Sequence, residues 1–575
     1  MAGRESFEVQ LYQDKRWVMV SVHDSQSSAV REAEATIKSR RELESIRVMR
    51  SWLRSDGLND EKVVFTKDQE MGGGKPIALG LIEEAAFCKE VDELYAADSR
   101  KAIGKVLKNY LDQAYLTPLE LMHSYGAQRR LSAHDTMLPA TVDRIATLQA
   151  KMPTAPEGLT YQVRKDDLYR MIDQAMERAR QMEDNRRCPE FDGENVAALI
   201  QAVDKVAAKH ERRAMIFTAL TRHLSRVTSW DAKLEQLLYV FKEEVTGEAV
   251  QILDLFLAET LEVAAVIQEL LGRQPDLGSA LAVIAKLALG RIAVERGKTP
   301  QGALGKLDRL FATKQIPGSR DVLYARICRE LKGGKRLSGE GGDEKGAFAA
   351  IVASLVDSKG GFPGGSPMMD AIIDRAGRVH AAQDQAPQAL NTIDAMMTIL
   401  AELRARIRFL ASLPNSHFGQ KNLDLIITKL SQQLAPIKDV NELCYYRDSP
   451  KKKLEDVTEI QRAMIASALP EAVCKRFVAK LDDMLADFIR REKLIEKLDN
   501  PEDPLKSRAE RLVQFCASGI LIEGKALAIA RDRTTTLLRQ PDFVTKYAAC
   551  VAEPTEVEAS IRQFYALLAK AGFKA

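Results

Sequence analysis

The sequence predicts a mainly α protein: an irregular multi-helix array in two lobes, preceded by a small α+β module of ββαββ order. Three observations predict it. Aromatic residues make up only 6% of the 575, while Ala, Leu, Glu, Lys and Arg are abundant, a composition that favours helix. Beyond Pro76, apolar residues recur at three- and four-residue steps. Before Glu70 they alternate instead with period two.

In the N-terminal module (1–70), Phe7, Val9 and Leu11 alternate with Glu8 and Gln10, and Val18, Val20 and Val22 with Met19 and Ser21. This predicts two strands joined by the polar turn 13–16. Residues 25–41 form a helix with Ala29, Ala33 and Ile37 on one face. Residues 46–48 and 63–65 are further strands around the turn-rich segment 55–60. A sheet of this size has edges that either accept a partner strand or are blunted by charge. Trp17 and Trp52 are read as core cover rather than recognition anchors. Met71-Gly-Gly-Gly-Lys-Pro76 is a hinge. Gln69 stands where a phosphate-binding loop needs its first glycine, and Pro76 where it needs Ser or Thr.

The first helical lobe (77–331) has predicted helices at 82–95, 99–115, 161–184, 193–209, 212–227 and 231–244. Thr117-Pro-Leu-Glu120 is a capping box. Glu120-Leu-Met-His123 also has the E-x-x-H spacing of carboxylate-bridged metal helices, but no second copy accompanies it, so Glu120 is assigned to the cap and no metal is expected. His134-Asp135 lacks histidine partners at metal spacing. His210 and His223 are structural. No repeat of 34 to 45 residues holds its apolar positions.

At the centre of this lobe lies a hairpin, 247–296. Its first helix shows Leu253, Phe256, Leu257, Leu261, Ala264, Ile267 and Leu271 on one face. Gly272 stops it, Gln274-Pro275-Asp276 turns the chain, and the second helix, 277–294, is apolar on nearly every side. That second helix carries Lys286 and Arg291, whose unpaired burial would be costly. Folding antiparallel about Gln274 sets Lys286 level with Glu262 and Arg291 between Asp254 and Glu259. Buried cross-helix pairs are expected, with snorkelling to solvent as the alternative.

Two glycine-rich stretches between 332 and 367 flank one short helix and form a hinge region before the second lobe, 368–575. Lys332, Lys335 and Arg336, with free backbone N–H groups, are a candidate anion site. Gly341-Gly-Asp-Glu344 resembles the start of the diguanylate cyclase signature over those four residues. Lys345 replaces its aromatic, and 347–355 is helical in pattern where that family needs a β-hairpin, so no cyclase domain is expected. In the second lobe a long helix runs over 387–413, with Arg404, Arg406 and Arg408 facing solvent. Further helices follow at 423–434, 453–469, 470–498, 505–538 (bent at Gly519 and Gly524) and 555–571.

Net charge is +3 and no segment is strongly basic, so no nucleic-acid footprint is present. The seven cysteines are scattered, with no C-x-x-C pair, which argues against a disulfide framework or a zinc site. With a polar N-terminus and no apolar run of membrane length, a cytoplasmic protein is expected. No cofactor is implied. The leading functional reading is a non-enzymatic helical scaffold or adaptor binding protein partners, with homo-oligomerisation left open. The alternatives are a regulatory protein sensing a phosphorylated small molecule through the glycine-rich segment, and an enzyme whose site is dispersed in sequence.

Overall fold

The computed structural model describes residues 5–13, 16–39, 45–53, 59–68, 78–134, 136–152, 155–242, 245–293, 302–313, 315–381, 388–551 and 553–573. The expected 13–16 and 55–60 turns fall partly outside them, as do Asp135, residues 294–296 of the expected hairpin and the start of the 387–413 helix. The 71–76 hinge falls wholly outside. The protein is mainly α with a small N-terminal sheet.

Strands β1 (Glu5–Gln13), β2 (Arg16–His23), β3 (Ser45–Leu53) and β4 (Asn59–Asp68) form one antiparallel sheet of order β2-β1-β3-β4. Helix α1 (Gln26–Ser39) covers one face. Phe7, Val9 and Leu11 of β1 and Ile46 and Val48 of β3 bury their side chains against Ala29 and Ala33, whose small size lets the helix lie close to the sheet. The last two strands are longer than predicted. In β4 the flanking residues are polar on both faces, and in β3 Arg50 and Ser51 interrupt the apolar alternation before Trp52. Each edge strand contains one extra residue, Val20 in β2 and Val64 in β4, where the register to its neighbour shifts.

Residues 1–85, 105–110 and 131–165 form one compact unit and the remainder of the chain a second. In the first, Gly80 N–H donates to the Val106 carbonyl at 2.8 Å. A β-carbon on Gly80 would sit 1.8 Å from the Lys105 carbonyl oxygen, so only glycine fits there. The helix predicted over 82–95 is absent apart from the single turn Val91–Leu94. Ile82, Ala85, Cys88, Val91 and Leu94 are all buried. That strict three-residue period drifts round an α-helix, and a mostly irregular segment, whose part beyond Ala85 belongs to the second unit, buries it instead.

In the second unit the expected first helix of the central hairpin is broken. Val263 is extended (φ −68°, ψ 127°) and separates Glu248–Glu262 from Ala264–Leu271. Asp276 then caps Leu277–Ala288 by accepting from Ser279 N–H at 2.7 Å. Leu253, Phe256, Leu257, Leu261, Leu281, Ala285 and Leu287 are all buried to within 1% exposure. Glu248–Glu262 packs chiefly on Pro317–Lys332, and Leu277–Ala288 chiefly on Glu344–Leu355. Pro317–Lys332 touches both, so a third helix mediates between the two arms that were expected to meet. The long helix of the C-terminal part also divides, into Ala389–Ile399 and Leu403–Ser412.

One device recurs through this unit. The first N–H groups of a helix have no partner inside it. Here they are met by a carboxylate from a helix far away in sequence. Asp254 accepts from Gly318 and Ser319 N–H at 2.8 and 2.9 Å, opening Pro317–Lys332. Asp482 accepts from Lys525 and Ala526 N–H at 2.5 and 3.1 Å, opening Lys525–Leu538. Neither helix has a local side-chain cap. Gly524 leaves room for this contact, since a β-carbon there would lie 2.4 Å from an Asp482 oxygen and the carboxylate would have to move.

Candidate functional site

The carboxylates expected to pair inside the hairpin each take partners from outside it. Asp254 caps Pro317–Lys332 and also accepts from the Ser319 hydroxyl at 2.6 Å. Glu259 pairs with Arg100 at 2.6 Å and accepts from Leu119 N–H at 2.6 Å; burial pushes its carboxyl up despite the Arg100 charge. Glu262 meets Arg329 at 3.2 Å. Lys286 and Arg291 are half-buried, and Arg291 donates to the Val356 carbonyl at 2.6 Å. The Pro317–Lys332 helix supplies the partners of Asp254 and Glu262, and Arg100 and Leu119 supply those of Glu259.

Lys332, Lys335 and Arg336 are all exposed on the first glycine-rich segment. The backbone donors beside them are engaged by the chain's own anion. Glu344 accepts from Leu337 N–H at 3.0 Å, Ser338 N–H at 3.1 Å, the Ser338 hydroxyl at 3.0 Å and Arg375 at 2.5 Å. Burial opposes its charge, but these donors outweigh it and hold the carboxyl down to about 2. The segment has the geometry of an anion nest, with Glu344 inside it. The second glycine-rich segment is tied as well. Arg404 and Arg408 donate to the Ser358 and Lys359 carbonyls, and Arg404 is buried against Asp456. Arg406 donates to the Leu400 carbonyl at 2.6 Å. The three arginines expected to face solvent bond within the fold, and the expected hinge is a bonded part of the second unit.

Glu120 is a capping-box residue as predicted, accepting from Thr117 N–H at 2.8 Å. It also meets Lys233, fully buried, at 2.7 and 2.9 Å, and Lys233 donates to the Tyr115 carbonyl at 2.5 Å. His123, on the same turn, packs between the Tyr95 and Phe217 rings. Burial, together with the charges of Arg100 and Arg213, pushes its imidazole down to about 3. Burial pushes the Tyr95 phenol up to about 12. No group of three or more His, Cys, Asp or Glu is placed to hold a metal among the described residues. His223 packs edge-on against Phe191, and His210 is exposed.

Two surfaces carry features the fold does not use. The first is a cleft of about 670 Å³ between residues 183–190 and the end of the Arg212–Leu224 helix. Its walls are fixed. Arg222 donates to the Met182 and Glu183 carbonyls, and Glu183 accepts from the Ser124 hydroxyl at 3.2 Å and Gly126 N–H at 3.4 Å. Cys188, on its lining, is buried and its thiol is pushed up by burial, away from the reactive thiolate.

The second is the sheet face opposite α1. The register puts Met19 and Val22 opposite Gln10 and Glu8, and Val63 opposite Met49, all on that face. Met19, Val22 and Val63 are 56%, 54% and 42% exposed. On this face Trp17 is half-buried with Arg47 over its ring at 4.2 Å; Trp52, half-buried under Arg50 at 5.0 Å, has the parity of Ile46 and Val48 and so lies on the α1 side. Arg47 is held in turn by Gln10 at 2.8 Å. Of the two edges, β4 exposes Glu61 and Lys62, whereas β2 between Trp17 and Val22 carries no charge.

No protein-family model, curated protein or solved structure matches this chain. Among the described residues, no helix is long and apolar enough to cross a membrane.

Proposed function

We propose that the chain is a non-enzymatic scaffold or adaptor that binds other proteins, and that the open face of its N-terminal sheet is one docking surface. The observation that carries this reading is the crowding of exposed apolar side chains on one strand. Val18, Met19, Val20 and Val22 of β2 are 43%, 56%, 45% and 54% exposed; of these the register sets Met19 and Val22 on the open face, and Val63 stands at the opposite edge of that face, beyond Glu8 and Met49. An antiparallel sheet with one solvated face normally alternates apolar with polar. A strand apolar on both sides has the pattern of one covered on both sides, and contiguous apolar patches mark interaction sites.

His123, Tyr95 and Glu259, whose ionisation burial shifts, are engaged within the second unit, His123 between two rings and Glu259 by Arg100. All seven cysteines are free, in keeping with a reducing cytoplasmic setting. The test is affinity capture from lysate with the full chain and with Met19→Glu/Val22→Glu. A partner is expected with the parent and not with the variant; equal recovery by both would remove the sheet face from the account.

A further inference from the structure

The N-terminal sheet ends differently on its two sides. In the order β2-β1-β3-β4, no strand lies beyond β2 or beyond β4 among the described residues. A sheet edge is a template for pairing, and proteins commonly blunt it with charge. Strand β4 is protected in that way, with Glu61 and Lys62 exposed beside Val63. Strand β2 carries no charge from Trp17 to Val22.

The apolar exposure of β2 also falls on both of its sides. Val18 stands opposite Leu11 and so on the α1 side, whereas Met19 and Val22 stand opposite Gln10 and Glu8 on the open face. All three are exposed. A helix or loop laid on the open face would cover Met19 and Val22 and leave Val18 in water. A strand added beside β2 covers both sides at once, because its own side chains alternate between them.

The chain itself holds a strand that fits. The extra residue Val20 leaves Trp17 and Val22 on one face and Val18 and Ser21 on the other. Two copies of β2 running antiparallel about a two-fold axis normal to the sheet keep each residue on its own face. Trp17 then meets Val22, Val18 meets Ser21 and Met19 meets Val20, with no charged residue among them. We propose that two copies of this chain associate through their β2 edges, joining two four-stranded sheets into one continuous sheet. The contact is isologous, the same strand serving on both sides. About six residues a side is far below the roughly 20–30 of a standard interface, so the dimer is weak and forms as concentration rises. It lengthens the open face rather than occupying it, and it stands whether or not that face binds another protein.

The test is sedimentation velocity of the full-length protein over about a hundredfold range of concentration, reaching high micromolar. The parent is expected to move from monomer towards dimer. Val18→Lys, on the α1 side, and Met19→Lys, on the open face, should each weaken association by about tenfold or more. Val63→Lys, on the open face at the far edge, should leave it unchanged. Where a lysine lowers the melting temperature, Val18→Thr and Met19→Thr repeat the comparison with strand propensity kept. A parent that stays monomeric throughout overturns the proposal. So does association that Met19→Lys and Val63→Lys weaken but Val18→Lys does not, the pattern of face-to-face packing, or association that none of the three alters. Docking of another protein on the open face is read separately, by its capture, so either reading can fail without the other.

Discussion

Lys233 and Glu120 form an ion pair in which neither side chain is exposed to solvent, the ammonium lying 2.7 Å from one carboxylate oxygen and 2.9 Å from the other. The pair joins the Trp230–Val240 helix to the capped start of Pro118–His123, and the Tyr115 carbonyl completes the ammonium's shell. A buried pair adds little over a well-packed apolar pair, but losing one partner strands the other. Lys233→Met should therefore cost about 3–5 kcal/mol in urea denaturation. Adding Glu120→Gln should restore much of that loss, because an uncharged amide still accepts from Thr117 N–H. A double variant no more stable than the single would refute the electrostatic account of this site.

The distant caps make a second prediction. Asp254→Ala and Asp482→Ala should each cost about 1–2 kcal/mol, the usual range for losing a helix cap. Gly524→Ala should be at least as damaging as Asp482→Ala, since its β-carbon would displace the same carboxylate. Chemical denaturation of the three variants checks this. A neutral Gly524→Ala would contradict the geometry.

The buried histidine sets a pH dependence. His123 titrates near 3 in the folded chain and near its ordinary 6.5 when unfolded. Below about 6.5 the unfolded state therefore takes up a proton that the folded state does not, and stability falls as pH is lowered. The loss approaches about 1.4 kcal/mol per pH unit and continues until the pH nears the folded value. Glu259, with its carboxyl raised, works in the opposite direction at acid pH. Comparing parent with His123→Gln at pH 7 and pH 5 isolates the histidine. The parent should lose more stability over that interval, and parallel losses would contradict the burial argument.

The glycine-rich nest can be emptied. Glu344→Ala should speed amide exchange at Leu337 and Ser338, whose N–H groups now donate to that carboxylate. Added phosphate should slow exchange again in the variant and have no effect in the parent. Unchanged exchange in the variant would mean that Glu344 does not hold the segment.

How far the sequence carried these conclusions depends on the distance between partners. The Thr117 and Glu120 cap, the Asp276 turn and the strands around Phe7–Leu11 are local, and each was legible in a window of a few residues. The Asp254 cap on Ser319 spans 65 residues, and Arg100 to Glu259 spans 159, so no local pattern announces them. The three-residue period of Ile82, Ala85 and Cys88 imitates a helix over a short window. Val263 and Leu400 break helices that propensity alone would continue. The cleft was invisible for the same reason as the distant caps: Ser124, Arg186 and Arg226 come together only through tertiary packing.

The account rests most on the open sheet face. Amide hydrogen exchange across the full chain, with and without the partner recovered by affinity capture, tests it most directly. Strand β2 from Trp17 to Val22, together with Val63, should gain protection on binding. Protection confined to residues outside the sheet, with β2 exchanging as in the free protein, would contradict the docking role of the sheet.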